Sequence, residues 1–182
     1  MKNDVRTGLG RFLQTSTPPE LGPGPRQDVQ PEARLLRDLD SVFAQAGVSP
    51  RQQQLIRALV LLWHDLLDSA HTIAQDIENS DGAFVHGIMH RREPDFSNAR
   101  YWFRRVGDHP TFSDIAHRVG ALAHSKKSTG PFEALIRTGR WDPYGFIDSC
   151  ERTSGRGGEE ERVLRDIQRI ESEVLLQYFA GA

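Results

Sequence analysis

The sequence predicts an all-α protein, a single helical domain of about six to eight helices with a flexible N-terminal arm. Apolar residues recur at helical spacing along most of the chain after Pro31. Proline, glycine and small polar residues stand where helices should begin and end. No run alternates polar and apolar residues convincingly enough for a strand. The 182 residues fit one domain, which we expect to span 31–182.

The first 30 residues differ in composition from the rest of the chain. They carry four of the ten prolines, and they show little apolar periodicity. Such a segment has too little apolar surface to offset the entropy that is lost on ordering. We therefore predict a flexible arm over 1–30.

Helix boundaries follow from proline, glycine and capping residues. Pro31 suits a helix start and Gly47 a helix end, and Ser49-Pro50 supplies the cap and first turn of a long helix over about 50–77. Further helices are expected over 80–92, 97–106, 111 or 113 to 123, 131–138, 143–152 and 159–179. A polar loop is expected over 125–130.

Composition excludes several classes of protein. Hydrophobic residues make up 37% and charged residues 26%, which is near the average for soluble domains and excludes a collagen-like or disordered chain. The net charge of −2 offers no basic surplus, so nucleic acid is not an expected partner. The longest apolar run, 58–63, is far too short to span a membrane, and the N-terminus has no apolar signal region. With Cys150 as its one cysteine, the chain is expected to be cytoplasmic.

One stretch carries unusual chemistry, because His86, His90 and Glu93 fall at i, i+4 and i+7. On a helix these offsets place all three side chains on one stripe. Two imidazoles and one carboxylate can hold a catalytic zinc or iron ion and leave positions open for water. The match to the zincin pattern is partial, because Gly87 follows the first histidine where that pattern has glutamate. The alternative is a hydrogen-bonded polar network between helices.

A second polar stripe lies on the preceding predicted helix, where His64, Asp68, His71 and Gln75 also recur at helical spacing. Consecutive helices can bring two such stripes together, and bundles place metals in such grooves. The candidate metal ligands are therefore His86, His90, His64 and His71. The expected cofactor is one divalent transition metal ion, which could be zinc, iron or manganese.

The residues after Pro94 combine hydrogen-bonding groups with aromatic rings and arginines on one helix face. The guanidinium group of arginine has paired N–H donors that match the oxygens of a carboxylate or phosphate. A small anionic molecule is therefore the expected partner. An internal network of salt bridges is the alternative. The candidate ligand-binding residues are Arg91, Asn98, Tyr101, Trp102 and Arg105.

The string HGIMHRREPDFSNARYWFRRVGDHP resembles the signature block of a family of uncharacterised, mostly bacterial and fungal helical proteins. The resemblance covers roughly residues 60–115 and implies no activity, since none is established for that family. It implies that the matching residues act as one unit. They are Asp81, Gly82, His86, His90, Arg91, Glu93, Pro94, Asp95, Asn98, Tyr101, Trp102, Arg105, Gly107 and His109.

These patterns lead to a hypothesis of a metal-dependent hydrolase that acts on a small anionic substrate. A metal-bound water would be the nucleophile, and Glu93 or Asp95 would be the general base. One alternative is a non-catalytic helical module that binds a small anionic ligand or a partner protein. Another is a purely structural network within an interaction protein.

Overall fold

A computed structural model describes residues 8–126, 131–136 and 139–181, and it confirms the all-α fold. Within these ranges the chain forms nine α-helices, a short 3₁₀ turn at Arg11–Leu13, and no strand. The helices are α1 (Glu32–Ala46), α2 (Pro50–Trp63), α3 (Leu67–Ala74), α4 (Ser80–Arg92), α5 (Phe96–Val106), α6 (Phe112–Ser125), α7 (Pro131–Leu135), α8 (Pro143–Thr153) and α9 (Glu159–Phe179). None of these helices combines the length and apolarity needed to cross a bilayer.

Capping side chains mark the starts of α2, α4, α5 and α8. Ser49 and Gln52 form a reciprocal capping box at the start of α2. The side chain of Asn79 accepts a hydrogen bond from the Gly82 amide at the start of α4. The helices predicted over 80–92 and 159–179 are confirmed at both ends. Residues 127–130 of the predicted polar loop and 137–138 of the predicted short helix lie outside the described residues.

Three helices make the centre of the core. Helix α2 is buried from Leu55 to Trp63 except at Arg57, which is partly exposed. The long helix α9 packs against α2, α6 and α8. Helix α4 is also buried on nearly every side, although it carries four polar side chains within the buried part, His86, His90, Arg91 and Arg92. A helix that is buried all round needs partners for each of these polar groups. Helix α4 packs most extensively on α5 and also contacts α3.

The predicted single helix over 50–77 is wrong, because the chain breaks between α2 and α3. Asp65 adopts a left-handed backbone conformation with φ of 62°, which aspartate tolerates better than most residues. This turn aims the Asp65 carboxylate at Arg26 and Arg92, at distances of 3.0 and 2.6 Å. The break also leaves Leu66 only partly buried.

Residues 8–30 pack against the helices, which corrects the prediction of a flexible arm for this part of 1–30. The apolar side chains that are buried there are Leu9, Phe12, Leu13 and Leu21. Polar contacts also fix the segment, since Gln168 donates to the carbonyl oxygens of Pro19 and Glu20 at 3.2 and 3.1 Å. The few apolar residues suffice because each enters the core cluster, and side chains of the helices satisfy backbone carbonyls of the segment.

Candidate metal centre

The two arginines at the end of α4 are bound within the core. Arg91 is fully buried and donates to both carboxylate oxygens of Glu171 on α9, at 3.2 and 2.5 Å. Its guanidinium also lies over the Phe146 ring, 4.4 Å from the centroid. Arg92 pairs with Asp65 at 2.6 Å. The structure therefore does not bring the predicted ligand-binding residue Arg91 to the site, because its charge is used to join α4 to α9.

Three imidazoles converge between α3 and α4. His71 comes from α3, and His86 and His90 come from consecutive turns of α4. Each offers one ring nitrogen such that all three atoms lie within 4.8 Å of one another. The ring centroids are 4.6 Å apart for His71 and His86, 5.5 Å for His71 and His90, and 4.9 Å for His86 and His90. This cluster could hold a metal ion.

The size of the cluster fits a transition metal after a small contraction. Zinc binds imidazole nitrogen at about 2.1 Å, so two donor atoms of a tetrahedral site lie roughly 3.4 Å apart. The donor atoms of the three histidines lie within 4.8 Å of one another, which exceeds this separation by at most about 1.4 Å. The three rings would have to approach one another by this amount to coordinate one ion.

His86 is the most constrained member of the cluster. It is 3% exposed, and its Nδ1 atom is buried with no hydrogen-bond partner among the described residues. The Trp102 ring stacks on it, with centroids 3.8 Å apart and planes inclined by 15°. Burial, together with the neighbouring His90 and His71, lowers the pKa of His86 to about 4. The ring is neutral at pH 7 and keeps a lone pair for a metal ion, whereas an unpaired buried nitrogen is otherwise costly.

His90 has polar partners on two sides. Its Nδ1 lies 3.2 Å from Glu93 Oε2, and its Nε2 lies 3.1 Å from Asn98 Nδ2 on α5. Burial lowers the pKa of His90, and the carboxylate of Glu93 opposes that shift. His90 is therefore also a neutral ligand candidate near pH 7.

His64 does not belong to this cluster, contrary to the prediction. Because α2 ends at Trp63, the side chain of His64 turns toward the N-terminal segment. Its Nε2 lies 3.0 Å from the Phe12 carbonyl oxygen, and the Gln30 amide donates to its Nδ1 at 3.2 Å. Burial lowers the pKa of His64 as well. Both nitrogens contact the N-terminal segment, and the ring lies outside the set of nitrogens that converge from His71, His86 and His90.

The other predicted site residues lie at the rim of the cluster. The Asp95 carboxylate accepts a hydrogen bond from the backbone N–H of Asn98 and so caps the start of α5. Trp102 joins the cluster through His86, and the Arg105 guanidinium lies 5.3 Å from the Trp102 centroid. Tyr101 is 45% exposed beside them. The structure thus brings together Glu93, Asn98 and Trp102 with the histidines, and it places Asp95, Tyr101 and Arg105 on the outer side of α5.

His109 lies apart from the histidine cluster. It is fully buried, its Nε2 lies 2.9 Å from Asp81 Oδ1, and its Nδ1 lies 2.8 Å from Thr111 Oγ1. The family resemblance groups His109 with His86 and His90 in one unit. The ring instead connects the start of α4 to the turn before α6.

A comparison of the chain with known protein families, curated proteins and solved structures finds no match in any of the three. The resemblance of the block around His86 to an uncharacterised family therefore stays a prediction. Any proposal about function has to come from the geometry of the site.

Proposed function

We propose that this protein is a metal-dependent enzyme, a hydrolase in which His71, His86 and His90 hold one divalent transition metal ion. The observation that carries this proposal is the convergence of three imidazole nitrogens within 4.8 Å. The lowered pKa values of His86 and His90 add to it, because a metal ion binds the neutral ring.

The donor set favours zinc or iron over manganese. Imidazole nitrogen suits zinc and iron, whereas manganese prefers carboxylate and carbonyl oxygen. Three protein ligands also leave a fourth position for water, which is the usual composition of a catalytic zinc site. A metal ion held by His71, His86 and His90 would supply Lewis acidity that lowers the pKa of water and so provides a nucleophile near neutral pH.

The substrate class follows from the rim of the site. Arg105 lies over Trp102, and Trp102 covers His86, so a cationic group stands one aromatic ring away from the cluster. A small anionic substrate could contact Arg105 and reach the metal ion beside Trp102. Tyr101 and Arg105 also favour the second candidate function, a non-catalytic module that binds such an anion on the exposed side of α5.

Metal analysis tests the metal centre directly. Untagged protein should contain or take up one zinc or iron ion per chain, measured by elemental analysis and calorimetric titration. His71→Ala should abolish stoichiometric binding, and it should fold because His71 is only partly buried. The matched control is His117→Ala, which removes an exposed imidazole outside the cluster. Absence of binding in the wild type, or equal binding by both variants, would contradict the proposed site.

Hydrolysis is tested on the metal-loaded protein with para-nitrophenyl acetate and para-nitrophenyl phosphate. The proposal expects release of nitrophenol that depends on the metal and is lost in His71→Ala. Stoichiometric metal without hydrolysis of either compound would instead favour the non-catalytic binding module.

A further inference from the structure

We infer that Glu93 is a positioning residue of the metal centre, which orients His90 and fixes its tautomer so that Nε2 is the metal-binding atom. This inference rests on the proposed function. It assigns Glu93 a different task from the metal ligand or general base that the sequence pattern predicts.

The position of the carboxylate is the first argument. Glu93 ends α4 and lies three residues after His90, with Oε2 3.2 Å from His90 Nδ1. Within the described part of the chain, the set of donor atoms that lie within 4.8 Å of one another contains the three histidines and not Glu93. The carboxylate therefore contacts His90 without itself belonging to the set of converging donor atoms.

The hydrogen-bonding chemistry of the ring is the second argument. An ionised carboxylate only accepts, so Nδ1 carries the proton and donates to Glu93. Asn98 Nδ2 is a donor, and it lies 3.1 Å from Nε2, which must then be the unprotonated nitrogen. The same amide nitrogen is 3.3 Å from Nδ1, but two donors do not bond to each other. Contacts from α4 and from α5 thus select the same tautomer.

This arrangement has the form of a carboxylate–histidine–metal triad. In such sites the carboxylate holds the ring in place and makes the other nitrogen a stronger ligand. Asn98 occupies the Nε2 lone pair in the absence of metal, so the amide competes with the ion and has to turn away when the ion binds. Glu93 and Asn98 therefore have opposite effects on metal affinity, although both touch His90.

Cobalt titration separates these roles, because the visible absorption of bound Co²⁺ reports both affinity and coordination. Glu93→Ala should weaken Co²⁺ binding by about 10–100-fold. Glu93→Gln should lose less, because its amide oxygen still accepts from Nδ1. Both variants should keep the wild-type absorption spectrum, since no ligand is removed. Asn98→Ala should bind Co²⁺ at least as tightly as the wild type.

The matched control is Glu78→Ala, which removes an exposed carboxylate just before α4. If Glu93→Ala binds Co²⁺ as tightly as this control, Glu93 does not position His90 and the inference is wrong, while the metal centre stands. A changed spectrum in both Glu93 variants would make Glu93 a ligand and would also overturn the inference. If the wild type itself binds no Co²⁺, the proposed function fails, and this inference fails with it.

Discussion

Replacement of Asp65 tests how the N-terminal segment is joined to the core. The carboxylate is fully buried between Arg26, which lies in the N-terminal segment, and Arg92 at the end of α4. We choose Asp65→Asn because asparagine has the same size and also tolerates the left-handed conformation that this position requires. The substitution therefore removes the charge with little change in backbone strain.

The size of the effect follows from the burial of the three side chains. Removal of one partner from a buried ion pair costs about 3–5 kcal/mol of unfolding free energy, since the other charge is left uncompensated. Arg92 also donates to the carbonyl oxygens of Gly22 and Leu62, and these contacts remain. We therefore expect a loss near the lower limit, about 3 kcal/mol, and a fall in Tm of roughly 6–12 °C for a chain of this size.

Urea unfolding followed by circular dichroism measures this loss. With an m-value of about 2 kcal/mol/M, the midpoint should fall by roughly 1.5 M. The control is Asp40→Asn, because Asp40 pairs with Arg57 at the surface, and its side chain is 60% exposed. Exposed pairs of this kind contribute about 0–1 kcal/mol. Equal midpoints for the Asp65 and Asp40 variants would refute the reasoning that this cluster fastens the segment.

Three further predictions concern acid stability, close packing and the N-terminal segment. The pKa of His86 is 6.5 in the unfolded chain and about 4 in the folded protein. As the pH falls, the unfolded chain therefore binds the proton first. The free energy of unfolding should then decrease by up to about 1.4 kcal/mol for each unit by which the pH is lowered between 6.5 and 4. Urea midpoints should fall from pH 7 to pH 5, and His86→Asn should reduce this fall, whereas the lowered pKa values of His90 and His64 leave a residual dependence on pH. A Cβ atom at Gly87 would lie 2.8 Å from the Phe103 ring, so Gly87→Ala should lower the free energy of unfolding by roughly 1–3 kcal/mol, measured by thermal unfolding. Gly10→Ala is the control, because a Cβ atom there meets nothing within 4 Å, and it should leave the stability unchanged. Leu21→Ala should cost about 2–5 kcal/mol in the same measurement, since the side chain is 1% exposed, and an unchanged Tm would show that the segment contributes nothing to the core.

Local signals explain why much of the helical architecture could be predicted. Asn79 before α4, and Asp142 with Pro143 at α8, act within a few residues of the boundary that they set. The break at Asp65 has no glycine or proline to mark it. The side chains that contact Asp65 there, Arg26 and Arg92, are distant in sequence, so helical periodicity alone does not reveal the break.

The candidate site could be predicted in part, because some of its geometry depends only on residues close in sequence. His86 and His90 lie one turn apart on one helix, and their convergence follows from spacing alone. His64 and His71 also share a helical spacing, but the turn between α2 and α3 sends the two rings in different directions. The assignment of Arg91 to Glu171 depends on the packing of α9, which the sequence around Arg91 does not encode.

The residues of the histidine cluster are close in sequence, whereas the contacts that enclose the cluster join residues far apart in sequence. This difference has a consequence for the order of folding. The three imidazoles come from the consecutive helices α3 and α4. By contrast, Arg91 and Glu171 are 80 residues apart, and Arg165 reaches the Pro18 carbonyl across 147 residues. Closing a longer loop costs more entropy and slows folding. Under the proposed function, a metal ion that is present during synthesis would therefore meet its ligands before these long-range contacts of the core form.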